Sequence, residues 1–259
     1  MSSLKNSKLP LSVAIISFNE EENLARTLDA IVDIASEIVV VDSHSTDNTK
    51  KIAEKYNVKF YTEDWKGHIA QKNSALEKCS FPWVLSLDCD EVVTDELKKM
   101  IIGAIQNPRA DGYLINRKTY YLGKKLNYAW QPDWNLRLVR KSSNPRWGGL
   151  DPHDFLSIDG RIEKLKGDLL HYSFKSIKHH FNKMIDYAEI SSSSYIKAGR
   201  KFTFVNLLIN PVIAFVKLYF IHLGFLDGFR GLMAATGSAF GTFLKYAMVA
   251  EKTKYKSKE

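Results

Sequence analysis

Short apolar runs alternate with helical patterns along the first hundred residues of the chain. Each run predicts a β-strand, and the runs lie at residues 11–17, 37–41, 58–62 and 83–87. Between them, apolar residues recur every three or four positions, as at Leu24, Leu28 and Ile31, which is the spacing of one buried helix face. Strands separated by helices of this length are typical of βαβ units. The pattern therefore predicts an α/β fold with a mostly parallel sheet flanked by helices.

The pattern changes after residue 110. Residues 111–174 contain many aromatic and basic positions with little helical period, which predicts strands and long loops that either form part of a binding site or simply pack in the fold. Beyond them a helical extension is predicted over residues 175–259, with helices at 175–197, 202–225 and 231–250. We therefore expect two domains, residues 1–174 and the C-terminal helical extension.

Composition narrows the class of protein. Hydrophobic residues make up 45% of the 259 positions and aromatic residues 12%, which excludes a disordered chain. The two cysteines are too few for a disulfide framework, so we expect a reducing compartment. The apolar run at residues 11–18 leads directly into Asn19 and three glutamates, which does not resemble a signal peptide. These features predict a cytoplasmic protein.

The net charge of +8 is concentrated in the C-terminal part. Residues 1–160 contain 21 Lys and Arg against 22 Asp and Glu, whereas residues 161–259 contain 16 against 7. This asymmetry indicates an anionic partner for the C-terminal part. Because its basic residues lie beside long apolar stretches, we expect an anionic membrane surface and no nucleic acid.

The first apolar helix of the extension is interrupted by polar residues and a proline. These interruptions argue against a helix that crosses a membrane, and they are Asn206, Asn210, Pro211, Lys217 and His222. A helix that lies at the interface, peripheral on the cytoplasmic face of the inner membrane, is the better interpretation. The alternative is that the two apolar helices close the core of a soluble fold or a homo-oligomer interface.

Two carboxylates follow the strand predicted at residues 83–87. Asp88 and Asp90 would lie at its carboxyl end, where open α/β sheets bind their ligands, and Cys89 between them would point into the core. Two carboxylates there suit Mg²⁺ or Mn²⁺ that also holds a diphosphate. An isolated D-x-D pair is more often two solvated loop acids, so its interpretation depends on the other motifs.

Three segments in order along the chain resemble the motifs of family 2 glycosyltransferases. They contain Ser17-Phe18-Asn19-Glu20, Val41-Asp42-Ser43 and Asp88-Cys89-Asp90-Glu91. Later segments resemble the bacterial subgroup that builds the lipopolysaccharide core, whose best known members are β-glucosyltransferases. These later segments are residues 132–140, Pro152-His153-Asp154 and residues 169–173. The resemblance implies a GT-A (Rossmann-like) fold and transfer of a sugar from a nucleoside diphosphate with inversion.

The resemblance also implies roles for single residues on the donor side. Asp42 would accept a hydrogen bond from the uracil N3–H, and Asp88 would face the ribose or the metal shell. Asp90 would bind Mn²⁺ or Mg²⁺, and His171 would complete the metal shell or serve only as a structural histidine. The other residues expected beside the nucleotide sugar are Ser17, Asn19, Glu20 and Lys72.

Inversion requires a base that takes the proton from the acceptor hydroxyl. The resemblance assigns this role to Asp154, and its rivals are Glu91, Asp133 and Asp151. His153 would touch the diphosphate or orient its loop. Arg137 and Arg140 are expected to share one face of a strand and to contact phosphate.

These expectations describe a metal-dependent inverting glycosyltransferase. It would move a sugar, glucose by resemblance, from a UDP-sugar to a lipid-linked saccharide such as the lipopolysaccharide inner core. One alternative is a nucleotidyltransferase, which would normally have a Gly-rich phosphate loop, whereas residues 10–25 contain no glycine. The other alternative is a non-catalytic protein that binds a nucleotide sugar or a lipid.

Overall fold

The computed structural model of the chain describes residues 8–150 and 153–255, and the side chains of Leu150 and His153 lie outside that description. The described residues form two compact units. The first unit consists of the described residues up to Arg117, Trp134–Gly149 and Asp154–His171. The second unit includes Lys118–Asp133 and the described residues from Tyr172 onward. Most of the residues that the sequence motifs single out belong to the first unit.

The first unit is built on four parallel strands, as the apolar runs predict. They are β1 (Leu9–Ser17), β2 (Ala35–Asp42), β3 (Lys59–Thr62) and β4 (Trp83–Asp88). They lie in the order β3-β2-β1-β4, and their register pairs Ser17 with Asp42 and Ile16 with Asp88. The apolar side chains of β1, β2 and β4 are largely buried. The polar residues that end these strands therefore meet at one edge of the sheet.

Four helices connect and cover these strands. They are α1 (Leu24–Asp29), α2 (Thr49–Glu54), α3 (His68–Glu77) and α4 (Asp95–Gln106). Asp47, two residues before α2 begins, accepts from the N–H and the hydroxyl of Thr49, the first residue of that helix. Thr94 caps α4 by accepting from the N–H of Leu97 at 3.3 Å. The apolar face of α4 is buried in the main core, as its helical spacing predicts.

Seven further strands follow in the described part of the chain. They are β5 (Glu91–Val93), β6 (Gly112–Tyr121), β7 (Lys124–Lys125), β8 (Trp134–Arg140), β9 (Arg146–Leu150), β10 (His153–Ser157) and β11 (Ile162–Phe174). The sheet continues beyond β4 in the order β8-β6-β11-β5, β7 pairs with β6, and β9 pairs with β10 separately. The pairs β4–β8, β8–β6 and β11–β5 are antiparallel. The α/β prediction is confirmed, and the structure adds an antiparallel half to the parallel strands.

The described part of the second unit contains three long helices. They are α5 (Ile177–Lys197), α6 (Phe204–Val216) and α7 (Phe229–Ala250). The first apolar helix is shorter than predicted, because after Val216 the chain continues as a π-helical turn to Ile221. Leu223 then adopts a left-handed conformation with φ of 56°, which ends the helical path.

A buried histidine lies at the centre of the second unit. The Nδ1 atom of His180 on α5 is 2.9 Å from the hydroxyl of Tyr121. Any side chain at Gly237 on α7 would overlap the imidazole ring, so α5 and α7 approach closely there. Burial lowers the pKa of His180 to about 4, and the ring is therefore neutral at pH 7.

A buried carboxylate joins the amino ends of the parallel strands. Glu37 on β2 is 5% exposed and accepts from the hydroxyl of Ser12 on β1 and from the ammonium of Lys59 on β3 at 2.5 Å. It also accepts from the N–H of Ser80 at 2.7 Å and from the hydroxyl of Ser80 at 2.8 Å. Burial alone would raise the pKa of Glu37, but these donors lower it to about 2.

Glu37→Gln should lower the free energy of unfolding at pH 7 by about 2–3 kcal/mol, because the amide carries no charge to match these donors. Folding lowers the pKa of Glu37, so its contribution is fully present above the ordinary value of 4.5. The contribution is lost as the pH falls toward about 2. Urea denaturation measured from pH 7 down to pH 3 should show that the difference in free energy of unfolding between wild type and variant becomes smaller as the pH falls.

Glu54→Gln is the matched control, because Glu54 is an exposed glutamate on α2. This control should change stability little at any pH. A loss in the Glu37 variant that stays constant with pH would contradict the assigned role.

Candidate functional site

The side chain of Asp42 joins the carboxyl ends of β1 and β2. Its Oδ1 accepts from the hydroxyl of Ser17 at 2.7 Å and from that of Ser45 at 2.5 Å, and its Oδ2 accepts from the N–H of Ser45 at 2.8 Å. The hydroxyl of Ser45 in turn accepts from the N–H of Asn19, so the two loops after the strands are held together. Asp42 is 2% exposed, and three of its roughly four acceptor positions are used inside the protein.

Asn19 and Glu20 shape the loop that follows β1. Asn19 has a left-handed φ of 53°, and its side-chain oxygen accepts from the N–H of Thr46 at 2.9 Å. The carboxylate of Glu20 accepts from the side-chain amide of Asn23 at 2.8 Å. The structure therefore brings these two predicted donor-side residues together with Asp42.

The turn after β4 presents the paired aspartates on a fixed base. The hydroxyl of Thr27 on α1 lies 2.6 Å from the carbonyl of Cys89 and 2.9 Å from that of Glu91. The Cys89 thiol is buried, as predicted, and donates to a backbone carbonyl of β1 at 3.2 Å. The N–H of Asp88 donates to the Glu91 carboxylate at 3.0 Å. These bonds hold the turn from which the side chains of Asp88 and Asp90 extend.

A buried ion pair lies behind this turn. The Nη2 atom of Arg137 on β8 is 2.6 Å from Oε1 of Glu91 and 3.0 Å from Oδ2 of Asp88. Arg117 on β6 adds a second cation 3.5 Å from Glu91. Arg137 is 3% exposed and Glu91 is fully buried, so each group compensates the charge of the other. Burial raises the pKa of Glu91, although Arg137 and Arg117 oppose this shift, and its carboxylate is engaged by both cations, which weakens it as a rival for the base.

The expectation that Arg137 and Arg140 share one face of the strand is wrong. Successive side chains of a strand alternate between its faces, so residues three apart point in opposite directions. Arg140 lies 5.0 Å from the ring centroid of Trp83 and 3.8 Å from Asp111, away from the paired aspartates.

Lys72 on α3 bridges two acids from distant parts of the chain. Its Nζ is 3.2 Å from Oδ1 of Asp88 and 2.8 Å from Oδ2 of Asp154 on β10. Burial alone would lower the pKa of Lys72, but the carboxylates of Asp88 and Asp154 raise it. Burial alone would raise the pKa of Asp88, but Lys72 and Arg137 hold it well below its ordinary value. Lys72 and Asp88 are therefore both charged at neutral pH.

Paired amide bonds attach α3 to β9. The side chain of Asn73 donates to the carbonyl of Trp147 at 3.0 Å and accepts from its N–H at 2.9 Å. This pairing places the Trp147 ring 4.4 Å from the ammonium of Lys72. The indole N–H of Trp147 and the Nε and Nη1 atoms of Arg137 are buried without a hydrogen-bond partner among the described residues. Such donors can serve a bound substrate.

Asp90 and His171 converge at the same edge of the sheet. The antiparallel register of β11 with β5 sets His171 opposite Glu91, directly after the aspartate pair. The Nε2 atom of His171 is 3.3 Å from Oδ2 of Asp90, and the two side chains are 16% and 17% exposed. Two neighbouring ligands of an octahedral Mg²⁺ lie about 3 Å apart, so this spacing fits two ligands of one ion.

Asp90 and His171 alone would make only part of a metal shell. Among the residues that the structure describes, no group of three or more His, Cys, Asp and Glu side chains could hold a metal ion. The oxygen and nitrogen atoms of Asp90 and His171 suit Mg²⁺ or Mn²⁺, but the other ligands would have to come from a diphosphate or water.

Not every predicted residue can be assigned to this arrangement. The side chain of His153 and the whole of Asp151 lie outside the described residues. Asp133 belongs to the second unit. Three further residues contribute to the site without having been predicted from the sequence, namely Asn73, Arg117 and Trp147. No local motif marks them, because their contacts join segments that are distant in the chain.

A family model and curated relatives both match glycosyltransferases. The model of glycosyl transferase family 2 matches residues 12–164. The lipopolysaccharide core biosynthesis glycosyltransferase LpsC of Rhizobium meliloti is 28% identical over 263 residues, covering 97% of this chain and 96% of the relative. An uncharacterised glycosyltransferase of Rickettsia typhi is 31% identical over 253 residues, covering 93% of this chain and 87% of the relative.

Two solved structures share the fold. The mannosyltransferase PcManGT from Pyrobaculum calidifontis, in complex with GDP-Man and Mn²⁺, has a TM-score of 0.55 at 14% identity. That match covers 96% of this chain and 88% of the solved chain. TarS 1-349 of S. aureus, in complex with UDP-GlcNAc, has a TM-score of 0.50 at 17% identity. That match covers 97% of this chain and 93% of the solved chain.

Arg137→Gln should lower the free energy of unfolding by about 3–5 kcal/mol, because it leaves Glu91 buried without its nearest counter-charge. Urea denaturation at pH 7 measures the loss. Arg140→Gln on the same strand is the control, with an expected loss within about 1 kcal/mol because Arg140 is more exposed. The double variant Arg137→Gln/Glu91→Gln should recover part of the loss. An Arg137 variant as stable as the Arg140 variant would show that the pair is not structural.

Proposed function

This chain is a member of glycosyl transferase family 2 with a GT-A fold, and from that premise we propose that it moves glucose from UDP-glucose to a lipid-linked saccharide with inversion. Family membership favours glycosyl transfer over nucleotidyl transfer and over non-catalytic binding. The observation that carries the proposal is the bridge from Asp88 through Lys72 to Asp154. This bridge joins the acid pair expected on the donor side to the carboxylate expected to activate the acceptor.

The donor half of the proposal rests on the loops after β1 and β2. Asp42 retains an acceptor position, which we assign to the N3–H of uracil. We assign the neighbouring residues to the nucleotide, with their loop already fixed by Ser45, and these residues are Ser17, Asn19 and Glu20. A loop held in one conformation before binding loses less entropy when the nucleotide arrives.

The acceptor half of the proposal rests on a relative and on charge. LpsC of Rhizobium meliloti is named for lipopolysaccharide core biosynthesis, which supports a saccharide acceptor of that type. Such an acceptor carries a lipid, so the enzyme would act at the cytoplasmic face of the inner membrane. The excess of Lys and Arg in residues 161–259 suits that anionic surface.

Asp90 and His171 are the residues that would hold Mn²⁺ or Mg²⁺. When bound, the ion would offset the negative charge that grows on the diphosphate as UDP departs. Asp88 is held by Lys72 and Arg137, so we assign it to the ribose and to the orientation of its neighbours. The Mn²⁺ in the PcManGT complex supports a divalent ion in this fold.

Asp154 is the base in this proposal. It takes the proton from the acceptor hydroxyl while that oxygen forms a bond to C1 of the sugar and the bond from C1 to the β-phosphate oxygen breaks on the opposite face. Lys72 binds Oδ2 of Asp154, so we assign the proton to Oδ1. The same ammonium contacts Asp88, which aligns the base with the donor side.

Asp154→Asn should lower turnover by ~10²–10⁴-fold and leave the affinity for UDP-glucose nearly unchanged. The amide keeps the shape of the side chain and can accept from Lys72, but it cannot take a proton. Sugar transfer to a lipopolysaccharide inner-core acceptor measures turnover, and calorimetry measures donor affinity. Asp159→Asn, an exposed aspartate after β10, is the control. Unchanged turnover in the Asp154 variant would place the base elsewhere.

Asp90→Asn should remove the dependence of UDP binding on Mn²⁺, because the amide lacks the negative charge that attracts the ion, and His171→Ala should weaken it, because alanine lacks the imidazole nitrogen. Titration calorimetry with UDP, with and without Mn²⁺, measures the effect without turnover. Asp95→Asn, exposed at the start of α4, should bind UDP as the wild type does. Wild-type Mn²⁺ dependence in the Asp90 variant would rule out this assignment.

A further inference from the structure

One face of α6 is apolar and points away from the protein. This outward stripe consists of side chains that are 40–65% exposed, namely Phe204, Val205, Leu208, Ile209, Val212, Ile213 and Val216. In the described part of the chain, Phe204–Ile221 is the one helix long and apolar enough to cross a membrane by length and composition. Its mean hydropathy is 1.9, and 6% of it is buried. A contiguous exposed apolar face of this kind marks an interaction surface.

The asparagines of α6 point toward the protein. The side-chain amide of Asn206 donates to the hydroxyl of Tyr195 on α5 at 3.2 Å. The amide of Asn210 donates to the hydroxyl of Tyr246 on α7 at 2.8 Å. A surface helix in water buries its apolar residues and exposes its polar ones, so α6 has the opposite arrangement. Both asparagines therefore lie off the outward stripe.

The apolar surface continues around the turn between α6 and α7. This apolar tip consists of side chains that are 42–71% exposed, namely Phe220, Ile221, Leu223, Phe225, Leu226 and Phe229. The carboxylate of Asp227 turns inward and accepts from the backbone N–H groups of residues 127–129 at 2.8–3.0 Å. The Nδ1 atom of His222 lies 3.2 Å from the carbonyl oxygen of Gln131. Asp227 and His222 are thus satisfied within the second unit.

Basic residues frame this surface. Arg200 and Lys201 lie within four residues before α6, and Lys217 follows the outward stripe. The Nζ atom of Lys254 lies 5.2 Å from the ring centroid of Phe204, at the start of the stripe. Cations beside exposed hydrocarbon match a bilayer whose headgroups are anionic.

We propose that the outward stripe and the apolar tip dock onto a membrane that contains anionic lipid. Residues 175–255 contain eleven Lys and Arg against four Asp and Glu, which favours that surface. A protein interface carries about one hydrogen bond per 100–200 Å². The stripe presents hydrocarbon alone, which suits lipid tails better than a second copy of the chain.

The docking is one-sided. Phe204–Ile221 has 18 residues and would extend about 27 Å as a continuous helix, just short of a hydrocarbon core of about 30 Å, and the charged Lys217 lies within it. Basic residues stand at both ends of the stripe, as they do in a helix that lies along the interface. Lys217 has a long aliphatic stem that can bring its ammonium to the headgroups. This surface deepens the proposed function, since a lipid-linked acceptor would be met there, but its test needs no catalysis.

The full chain should co-sediment with vesicles of phosphatidylcholine and phosphatidylglycerol in 0.15 M salt, and less with phosphatidylcholine alone. Ile209→Glu/Ile213→Glu should lower partitioning more than about tenfold, because two carboxylates would enter the apolar layer. Ile162→Glu changes an isoleucine of similar exposure on β11 and should bind as the wild type does. Absent binding of the wild type, or undiminished binding of the double variant, would overturn the proposal.

A fluorescence measurement covers the case in which the double variant fails to fold. Cys79 and Cys89 are both buried, so a thiol label attaches selectively at Val212→Cys. An environment-sensitive fluorophore there should shift to shorter wavelength when anionic vesicles are added. The same label at Ile162→Cys should not shift. An unchanged spectrum at position 212 would count against docking.

Three further outcomes separate this inference from a dimer interface and from the proposed function. Sedimentation that shows a wild-type dimer, converted to a monomer by the double variant and indifferent to vesicles, would assign the surface to a second copy and overturn the proposal. Vesicle binding without sugar transfer would support the surface and refute the proposed function. Sugar transfer to a soluble acceptor by a protein that does not bind vesicles would support the proposed function and refute the docking surface.

Discussion

Charge buried at the carboxyl ends of the parallel strands has to be compensated within the protein, and this requirement organises the first unit. Asp88 and Glu91 share Arg137, and Lys72 connects Asp88 to Asp154. Taking such ions out of water costs several kcal/mol each, so a displaced partner would leave an expensive unpaired charge. The ion pairs therefore fix β8, α3 and β10 around one edge of the sheet. Catalytic groups need this kind of fixed position, since small displacements cost large factors in rate.

The parallel half of the fold could be predicted because its strands are short apolar runs buried in the core. Polar residues that end such runs lie at one edge of the sheet. Asp42 and Asp88 end the two strands that flank β1, so both lie at that edge. The antiparallel half could not, because no local pattern encodes the register that brings His171 to Asp90. His171 and Asp90 are predicted to act together only through the resemblance to family 2 glycosyltransferases. The separation of Arg137 from Arg140 was available in the sequence, since strand alternation alone puts residues three apart on opposite faces.

The extension shows why a linear count of polar residues can mislead. Asn206 and Asn210 interrupt the apolar stretch in sequence, but they are four residues apart and so lie on one face of α6. Helical spacing predicts that they share a face. It cannot predict which face turns inward, because their partners Tyr195 and Tyr246 come from other helices. The polar residues therefore interrupt the apolar stretch along the sequence, but in the folded unit the apolar side chains still form one continuous stripe.

Both units contain groups whose arrangement is unfavourable in water alone. In the first, buried donors of Arg137 and Trp147 have no partner among the described residues, and a buried unsatisfied donor typically costs about 1–3 kcal/mol. In the second, large apolar side chains face solvent along α6. Natural proteins concentrate such departures at functional sites. A bound anion would relieve the first cost and a lipid surface the second, and any ligand that binds only the folded state stabilises it. On this proposal, the free energy that these arrangements cost the isolated chain would be recovered when the anion and the lipid surface bind.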